Sequence, residues 1–204
     1  MKQLILILCL CLLGCKQTEQ KSVSKNHKEK TNVSKDSFVF FDSLFKKNPN
    51  YIVKGFDFPV GKPDAKGYYN AQKFTVNNHL GDDWNGTGGG NSDLGDPIYA
   101  IGNGYVTFAE DYGGGWGNVI RVVHKYKGNY YESLYAHCDK ISVKKGSFVT
   151  KGMQIGTIGN ADGVYYAHLH LEIRDDIFME IGGGYSKNTK GFLDPTKFIK
   201  SNRK

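Results

Sequence analysis

The chain has 204 residues, a formal net charge of +7 and a pI near 9.1, and this length fits one or two domains. Glycine supplies 26 residues, about twice its usual share of roughly 7%, which favours tight turns between short strands. The positive charge favours anionic partners, but the chain has no recognisable motif of basic and aromatic residues, so nucleic acid is not an expected partner.

The first 14 residues resemble the signal peptide of a bacterial lipoprotein. Lys2 gives a positive start, and the apolar run at 4–13 has ten residues, too few for the ~20 that a membrane-spanning helix needs. Leu-Leu-Gly-Cys at 12–15 resembles the processing site of such signals. We therefore expect Cys15 to carry lipid and to anchor the protein to a membrane of the cell envelope, facing the periplasm or the exterior. An ordinary signal peptide and an uncleaved anchor are the alternatives.

A polar segment follows, and we expect residues 15–36 to form a disordered tether that starts at the lipidated cysteine. Residues 16–36 contain two valines and no aromatic residue, so they cannot bury enough apolar surface to order themselves. Six lysines and three acidic residues give this segment a net charge of +3.

Residues 37–55 are expected to form an N-terminal extension that packs on a domain of residues 56–204. The aromatic segment 38–45 suits a short amphipathic helix ended by Asn48-Pro49, or a strand. Residues 51–60 are predicted to form a strand. Residues 68–76 are predicted to form a loop that borders a cleft.

Short strands separated by glycine turns are predicted for the middle of the chain. Between Gly86 and Asp176 the sequence has no helical periodicity of useful length. Residues 118–126 and 130–136 are typical of a hairpin. Further strands are predicted at 98–101, 105–110, 147–149, 154–158 and 167–174. The expected fold class is all-β: an antiparallel sheet or sandwich with glycine-rich loops and a site in an open groove on the sheet.

The segment 167–174, Ala-His-Leu-His-Leu-Glu-Ile-Arg, carries the strongest signal for chemistry. Strand residues two positions apart share a face. His168 and His170 would therefore point the same way, while Leu169, Leu171 and Ile173 face the core. Two imidazoles on one rigid face suit a metal or acid–base site, and ordinary surface or core histidines are the alternative.

A second cluster lies at 79–85, where His79 and Asp83 are four positions apart. We expect Gly81 to let the backbone bend so that both side chains converge on one cation. With one histidine of the pair at 168 and 170 they form a His, Asp, His set, which leaves a fourth position for water, as in a catalytic zinc site. The sequence has no His-Glu-x-x-His motif, so a helix-borne zinc protease is excluded.

Three further groups need an interpretation. His137 ends a strand in Tyr-Ala-His, and His124 ends another strand; His124, like His27 in the tether, is expected to be solvated. Cys138 should point away from the site and be buried, because adjacent strand residues face opposite sides.

In this order, the motifs resemble those of the lysostaphin and LytM-type zinc metallopeptidases, which cut peptidoglycan peptides. The resemblance includes His-x-Gly-x-Asp at 79–83, Tyr-x-His at 135–137 and His-Leu-His at 168–170, and it extends over about residues 56–199. It implies zinc ligands at His79, Asp83 and His170 and catalytic histidines at His137 and His168. It also implies an antiparallel sheet, and no ligand is missing.

The function that this resemblance implies is zinc-dependent endopeptidase activity on peptidoglycan stem-peptide cross-links or cross-bridges. The expected partners are peptidoglycan peptides and, through Cys15, a membrane. No oligomeric state is predicted. Two alternatives are a non-catalytic zinc-binding envelope module that recruits or activates a separate wall hydrolase, and a lipoprotein that stores or senses zinc through closed coordination.

Overall fold

The computed structural model describes residues 35–204, with side chains from Phe38 onward. The expected signal peptide, the lipid site at Cys15, His27 and the tether up to residue 34 lie outside the described residues. Within the described residues, no helix is both long and apolar enough to cross a membrane.

Antiparallel pairing organises the described chain into one sheet of ten strands in the order β1-β2-β9-β6-β5-β4-β7, with β10 added to β9 and β8 paired with β3 and β6. This confirms the expected antiparallel fold class. The helices are α1 (Lys35–Lys47) and α2 (Pro195–Ser201). The strands are β1 (Tyr68–Gln72), β2 (Asp82–Gly86), β3 (Pro97–Tyr99), β4 (Gly104–Gly113), β5 (Gly117–Tyr126), β6 (Asn129–Ile141), β7 (Phe148–Val149), β8 (Gln154–Ile158), β9 (Leu169–Arg174) and β10 (Phe192–Leu193).

Strand β9, which carries His170, lies between β2 and β6 in the interior of the sheet. Leu169, Leu171 and Ile173 belong to the main hydrophobic core, as their alternation predicts. His170 lies opposite Asp83 of β2 on one side and Ala136 of β6 on the other. His170 therefore lies directly opposite the carboxylate residue Asp83 on the neighbouring strand.

The hairpin of β5 and β6 has the predicted position. Lys127 and Gly128 join the strands, and both have positive φ (50° and 83°), as a two-residue turn matched to the strand twist requires. Strand β6 continues to Ile141, past the predicted end at residue 136, and its register shifts after Cys138.

The N-terminal segment forms a helix rather than a strand. Phe41 and Phe45 of α1 are buried against Val123 of β5, and Asp42 pairs with Lys125 at 2.6 Å. The apolar face of α1 therefore covers one surface of the β5–β6 hairpin.

Two predictions for the segment that follows are wrong. Residues 51–60 form no strand: the backbone NH groups of Val53, Phe56 and Asp57 donate to carbonyls in three separate segments, so no ladder develops. Residues 68–72, predicted to be a loop, form the edge strand β1, which pairs with β2. No residue of β1 is buried, so neither face of the strand needs apolar side chains and the sequence shows no alternation of apolar and polar residues.

The C-terminal helix α2 was not predicted. It begins after Asp194, whose side chain accepts a 2.9 Å hydrogen bond from the Lys197 NH group, with Pro195 in the first helical position. Thr196 anchors its first turn to β2 by donating its hydroxyl to Asp82 at 2.6 Å. The helix therefore braces the strand that carries Asp83.

Candidate active site

Three predicted ligands meet where β2, β9 and the chain entering β2 converge. Asp83 and His170 are cross-strand neighbours. His79 follows a short 3₁₀ turn, Val76–Asn78, and forms an isolated backbone bridge with Tyr185. The strand pair therefore fixes two of the side chains, and the bridge holds the third against them.

The donor atoms of these residues form a compact triangle. His79 Nε2 lies 3.0 Å from His170 Nδ1 and 3.3 Å from Asp83 Oδ1, while His170 Nδ1 lies 2.9 Å from Asp83 Oδ1. Four-coordinate zinc, with bonds of about 2.0–2.2 Å, holds its ligand atoms about 3.3–3.5 Å apart. The two shorter sides therefore need to widen by only a few tenths of an ångström, the third already has the required length, and the donor set fits an open metal site.

Burial and mutual hydrogen bonding set the charges in the triangle. Burial alone would raise the pKa of Asp83, but hydrogen bonds to His170 and His79 outweigh it and lower that pKa below its usual range. Burial would also lower the pKa of His170, yet its bonds to Asp83 and Glu172 raise it to about 9. Without a metal, the site therefore holds an ionised carboxylate beside a cationic imidazole, and a divalent cation can replace the proton.

Gly81 lies in a bend between His79 and β2, as expected. It does not adopt a positive φ; instead, a Cβ at this position would lie 2.4 Å from the Leu171 carbonyl oxygen and 2.9 Å from Cε1 of His170. The expected bend is therefore present, but it needs no left-handed backbone. The glycine is required because the chain passes directly against β9.

His137 reaches the site through an unusual backbone conformation. It is 8% exposed and has a φ of 60°, in the left-handed region, where a non-glycine residue within a strand is strained. Its ring centroid lies 4.7 Å from that of His168. Burial, followed by repulsion from His168 and His170, lowers its pKa to about 3, so the imidazole is neutral at pH 7.

The His168 ring is oriented by a hydrogen bond to the backbone two residues before it. Its Nδ1 lies 2.8 Å from the Tyr166 carbonyl oxygen, which fixes the proton on Nδ1 and leaves the Nε2 lone pair free. Nε2 is 3.9 Å from Asp83 Oδ1. His168 therefore presents a proton-accepting atom at the edge of the ligand triangle.

All five predicted site residues line one cavity of about 380 Å³. A neighbouring cavity of about 670 Å³ shares Gln72, Asp83, Tyr165 and His168 with it. Together they form an open groove whose walls carry carboxamides and tyrosines. Gln72 belongs to the segment 68–76, which was expected to border a cleft, and its place in the wall agrees with that expectation. Sequence reasoning missed the wall residues Tyr165 and Tyr185; Trp116 also lies in the wall.

The other two candidates lie outside the groove. His124 is fully buried, with Nδ1 2.8 Å from the Asn103 carbonyl oxygen and Nε2 2.7 Å from Ser133 Oγ. The expectation that it is solvated is wrong, because β6 and the turn at Asn103 cover it. Cys138 is buried, as expected, and burial raises the pKa of its thiol to about 12.

Comparison with known proteins identifies the family. Residues 83–183 match peptidase family M23, and Lipoprotein NlpD of Yersinia enterocolitica is 39% identical over 80 residues, which are 39% of this chain and 78% of NlpD. The chain belongs to peptidase family M23. The resemblance inferred from the motifs is thereby confirmed.

Two further relatives extend the comparison of this M23 chain. Peptidoglycan DD-endopeptidase ShyA of Vibrio cholerae is 39% identical over 80 residues, which are 39% of this chain but 18% of ShyA; the match thus spans about a fifth of that relative. The solution structure of lysostaphin, a peptidase from Staphylococcus simulans, aligns with a TM-score of 0.52 at 25% identity, over 67% of this chain and 52% of that one.

Proposed function

We propose that this M23 chain is a zinc-dependent endopeptidase of the bacterial cell envelope that hydrolyses peptide bonds of peptidoglycan, in stem-peptide cross-links or cross-bridges. The observation that carries the proposal is the convergence of His79 Nε2, Asp83 Oδ1 and His170 Nδ1 within 2.9–3.3 Å of one another. These three residues would hold the zinc. Bound there, zinc supplies Lewis acidity and a water molecule of lowered pKa.

Two histidines outside the triangle would assist the reaction, one by moving a proton and one by stabilising developing charge. His168 presents the Nε2 lone pair next to Asp83, so we assign it the acceptance of the proton from the attacking water. His137 is neutral, faces His168 and lines the same cavity. Its assigned task is to donate a hydrogen bond to the oxygen on which negative charge develops, while the proton that His168 has accepted passes on to the leaving amine.

The groove supports a peptide as the substrate. Carboxamides of Gln72, Asn85 and Asn160 line it, and such groups can both donate to and accept from a peptide backbone. Tyr165 and Tyr185 supply apolar walls with polar tips. Similarity to ShyA, a peptidoglycan DD-endopeptidase, supports peptidoglycan as the source of that peptide.

The proposed organisation of the chain follows the sequence boundaries: a signal peptide at 1–14, a lipidated Cys15 with its tether at 15–36, the extension at 37–55 and the peptidase domain at 56–204. NlpD of Yersinia enterocolitica and YgeR of Escherichia coli are both named lipoproteins, which supports the anchor. A tether of about twenty residues reaches about 25 Å on average and about 70 Å when extended, a range that suits an enzyme acting on the wall from a membrane.

A digestion experiment tests the activity. Purified peptidoglycan is incubated with the full-length chain, and the released fragments are identified by mass. We expect new amino and carboxyl termini at one type of peptide bond. Zinc bound by the three ligands without release of fragments would instead support the non-catalytic module that recruits or activates another hydrolase.

A further inference from the structure

Strand β9 carries a second set of polar groups behind the metal site. His170, Glu172 and Arg174 occupy alternate positions and so share one face. Glu172 and Arg174 are completely buried, an arrangement that is costly unless each charge is paired and hydrogen-bonded. The pair therefore needs an explanation beyond its own stability.

Glu172 connects the ligand to the arginine. Its Oε1 lies 3.2 Å from His170 Nε2, while Oε2 accepts from Arg174 Nε at 2.8 Å. The two nitrogens of His170 thus have separate tasks: Nδ1 faces the other ligand atoms, and Nε2 donates to Glu172. A carboxylate at the outer nitrogen fixes the tautomer and the ring orientation that metal binding requires.

Arg174 continues the connection into the segment 179–185. Its guanidinium donates to the Glu180 carbonyl at 3.0 Å and to the Ile181 carbonyl at 2.9 Å. Arg121 donates to the preceding carbonyl, that of Met179, at 2.7 Å. Both arginines also contact Glu132. The buried Arg174 and the half-buried Arg121 therefore hold three successive carbonyls of a segment that forms no helix or strand.

The far end of this segment supports the other histidine ligand. Leu80 donates its backbone NH to the Gly184 carbonyl at 2.9 Å, and Tyr185 forms the backbone bridge with His79. The Tyr185 ring packs on the His79 imidazole, with centroids 5.2 Å apart. A shift of the segment would therefore move His79.

We propose that Glu172 and Arg174 form one positioning unit for both histidine ligands, acting on His170 directly and on His79 through the segment 179–185. The inference rests on the proposed zinc site. Neither residue lines the cavity, so both act through the ligands and through the segment that supports them.

The test measures zinc binding separately from folding. Full-length parent, Glu172→Gln and Arg174→Lys chains are prepared without metal; their zinc affinity is measured by competition with a chromogenic chelator, and the visible spectrum of each Co²⁺ form is recorded. Glu172→Gln replaces one of the two accepting oxygens by an NH2 group, which would face a donor NH of either His170 or Arg174. Arg174→Lys removes the fork that reaches two carbonyls. Each variant should lose about 10–100-fold in zinc affinity and show a changed Co²⁺ spectrum.

Ser133→Ala is the matched control. Ser133 is fully buried and bonds to His124 and to the Tyr135 hydroxyl, away from the cavity. This variant should lower the melting temperature of the zinc-free chain yet keep the parent's zinc affinity and Co²⁺ spectrum. If the two test variants behave like the control, with a lower melting temperature but unchanged zinc affinity and Co²⁺ spectrum, Glu172 and Arg174 only stabilise the fold.

Affinity within about threefold of the parent in Glu172→Gln, with an unchanged Co²⁺ spectrum, overturns the proposal even if Arg174→Lys does not fold. Failure of the proposed function has a different signature. A parent that binds zinc through Asp83 but cleaves no peptidoglycan refutes the peptidase and leaves the positioning role intact. If the Asp83→Ala variant binds zinc as tightly as the parent does, both the proposed peptidase and the positioning role are refuted.

Discussion

At the scale of single residues, His137 shows how backbone strain and chemistry coincide. It combines a left-handed φ of 60° with near-complete burial, and its Nδ1 has no hydrogen-bond partner among residues 35–204. Such a conformation costs about 1–3 kcal/mol and persists only where the surroundings impose it. The His137 imidazole therefore faces His168, whereas the side chain of the next residue, Cys138, packs in the hydrophobic core.

We predict that His137→Ala retains one zinc per chain and a near-parental melting temperature but cleaves peptidoglycan at least about 100-fold more slowly, because a group that moves protons or steadies developing charge contributes ~10²–10⁴ in rate. Metal content and cleavage rate are measured on the same preparation. Cleavage within about threefold of the parent, or loss of the zinc, would remove His137 from the catalytic role.

His124 makes the folded state sensitive to acid. Burial lowers its pKa to about 4, against the opposing effect of its bond to Asn103, from an ordinary value of 6.5. Between these values the unfolded chain binds a proton that the native chain excludes, so the free energy of unfolding falls as the pH falls from 6.5 to 4. The expected loss between about pH 7.5 and about pH 4.5 is about 2–3 kcal/mol from this residue.

The prediction is that zinc-free His124→Gln loses less stability over that interval than the zinc-free parent does. Urea unfolding of both chains at the two pH values gives the change in the free energy of unfolding with pH for each chain. Subtracting the change in the variant from that in the parent leaves the contribution of His124, because the carboxylates contribute equally to both. Equal pH dependence in the two chains would show that His124 titrates normally in the folded state.

The convergence of His79, Asp83 and His170 could be predicted from residue spacing and from the resemblance, because His79, Asp83 and the His-Leu-His pair occur at characteristic intervals. Of the groove walls, only the segment that carries Gln72 was expected to border a cleft. Tyr185 approaches the site through a backbone bridge, and this contact leaves no local pattern in the sequence. His124 was misassigned because a strand-end position does not reveal what covers it.

At the scale of elements, the register between β2 and β9 decides the site. Asp83 meets His170 only in this register, and a slip by one residue would turn the side chains of one strand to the other face. Gly81 sets the approach of the chain to β9 just before β2 begins. The glycine of the His-x-Gly-x-Asp motif is therefore part of the ligand geometry.

Gly81→Ala should weaken zinc binding by at least about tenfold, because the added methyl group must displace either the Leu171 carbonyl or the His170 ring. Gly183→Ala is the matched control: a Cβ there meets no atom within 4 Å, although Gly183 also lines the cavity. Zinc titration of both variants checks this. If the two affinities are equal, close packing at Gly81 does not control the site.

Elements with strong local signals were predicted well, and elements held by distant contacts were not. The β5–β6 hairpin combines alternation with a Lys-Gly turn, and its place in the sequence was correct. Residues 51–60 have an apolar, strand-like composition, but their NH groups bond to Lys125, Asn202 and Ile101. The outcome depends on where those carbonyls lie after folding, which composition cannot encode.

At the scale of the whole molecule, the proposed anchor defines where the peptidase acts. We predict that Cys15→Ser moves the protein from the membrane fraction to soluble material, or leaves it unprocessed, while the zinc content and specific activity of the purified chain stay unchanged. Fractionation followed by mass analysis of the N-terminus provides the check. Normal processing together with full membrane retention would exclude lipid at Cys15 as the anchor.

The central claim is that one zinc ion held by His79, Asp83 and His170 is required for peptidoglycan cleavage. The most direct measurement follows fragment release by the full-length chain before metal removal, after removal, and after one equivalent of zinc is restored, with Asp83→Ala in parallel. We predict that cleavage disappears and returns with the metal in the parent, and that Asp83→Ala neither retains zinc nor cleaves. Cleavage that survives metal removal, or an Asp83→Ala chain with undiminished zinc and activity, would contradict the claim.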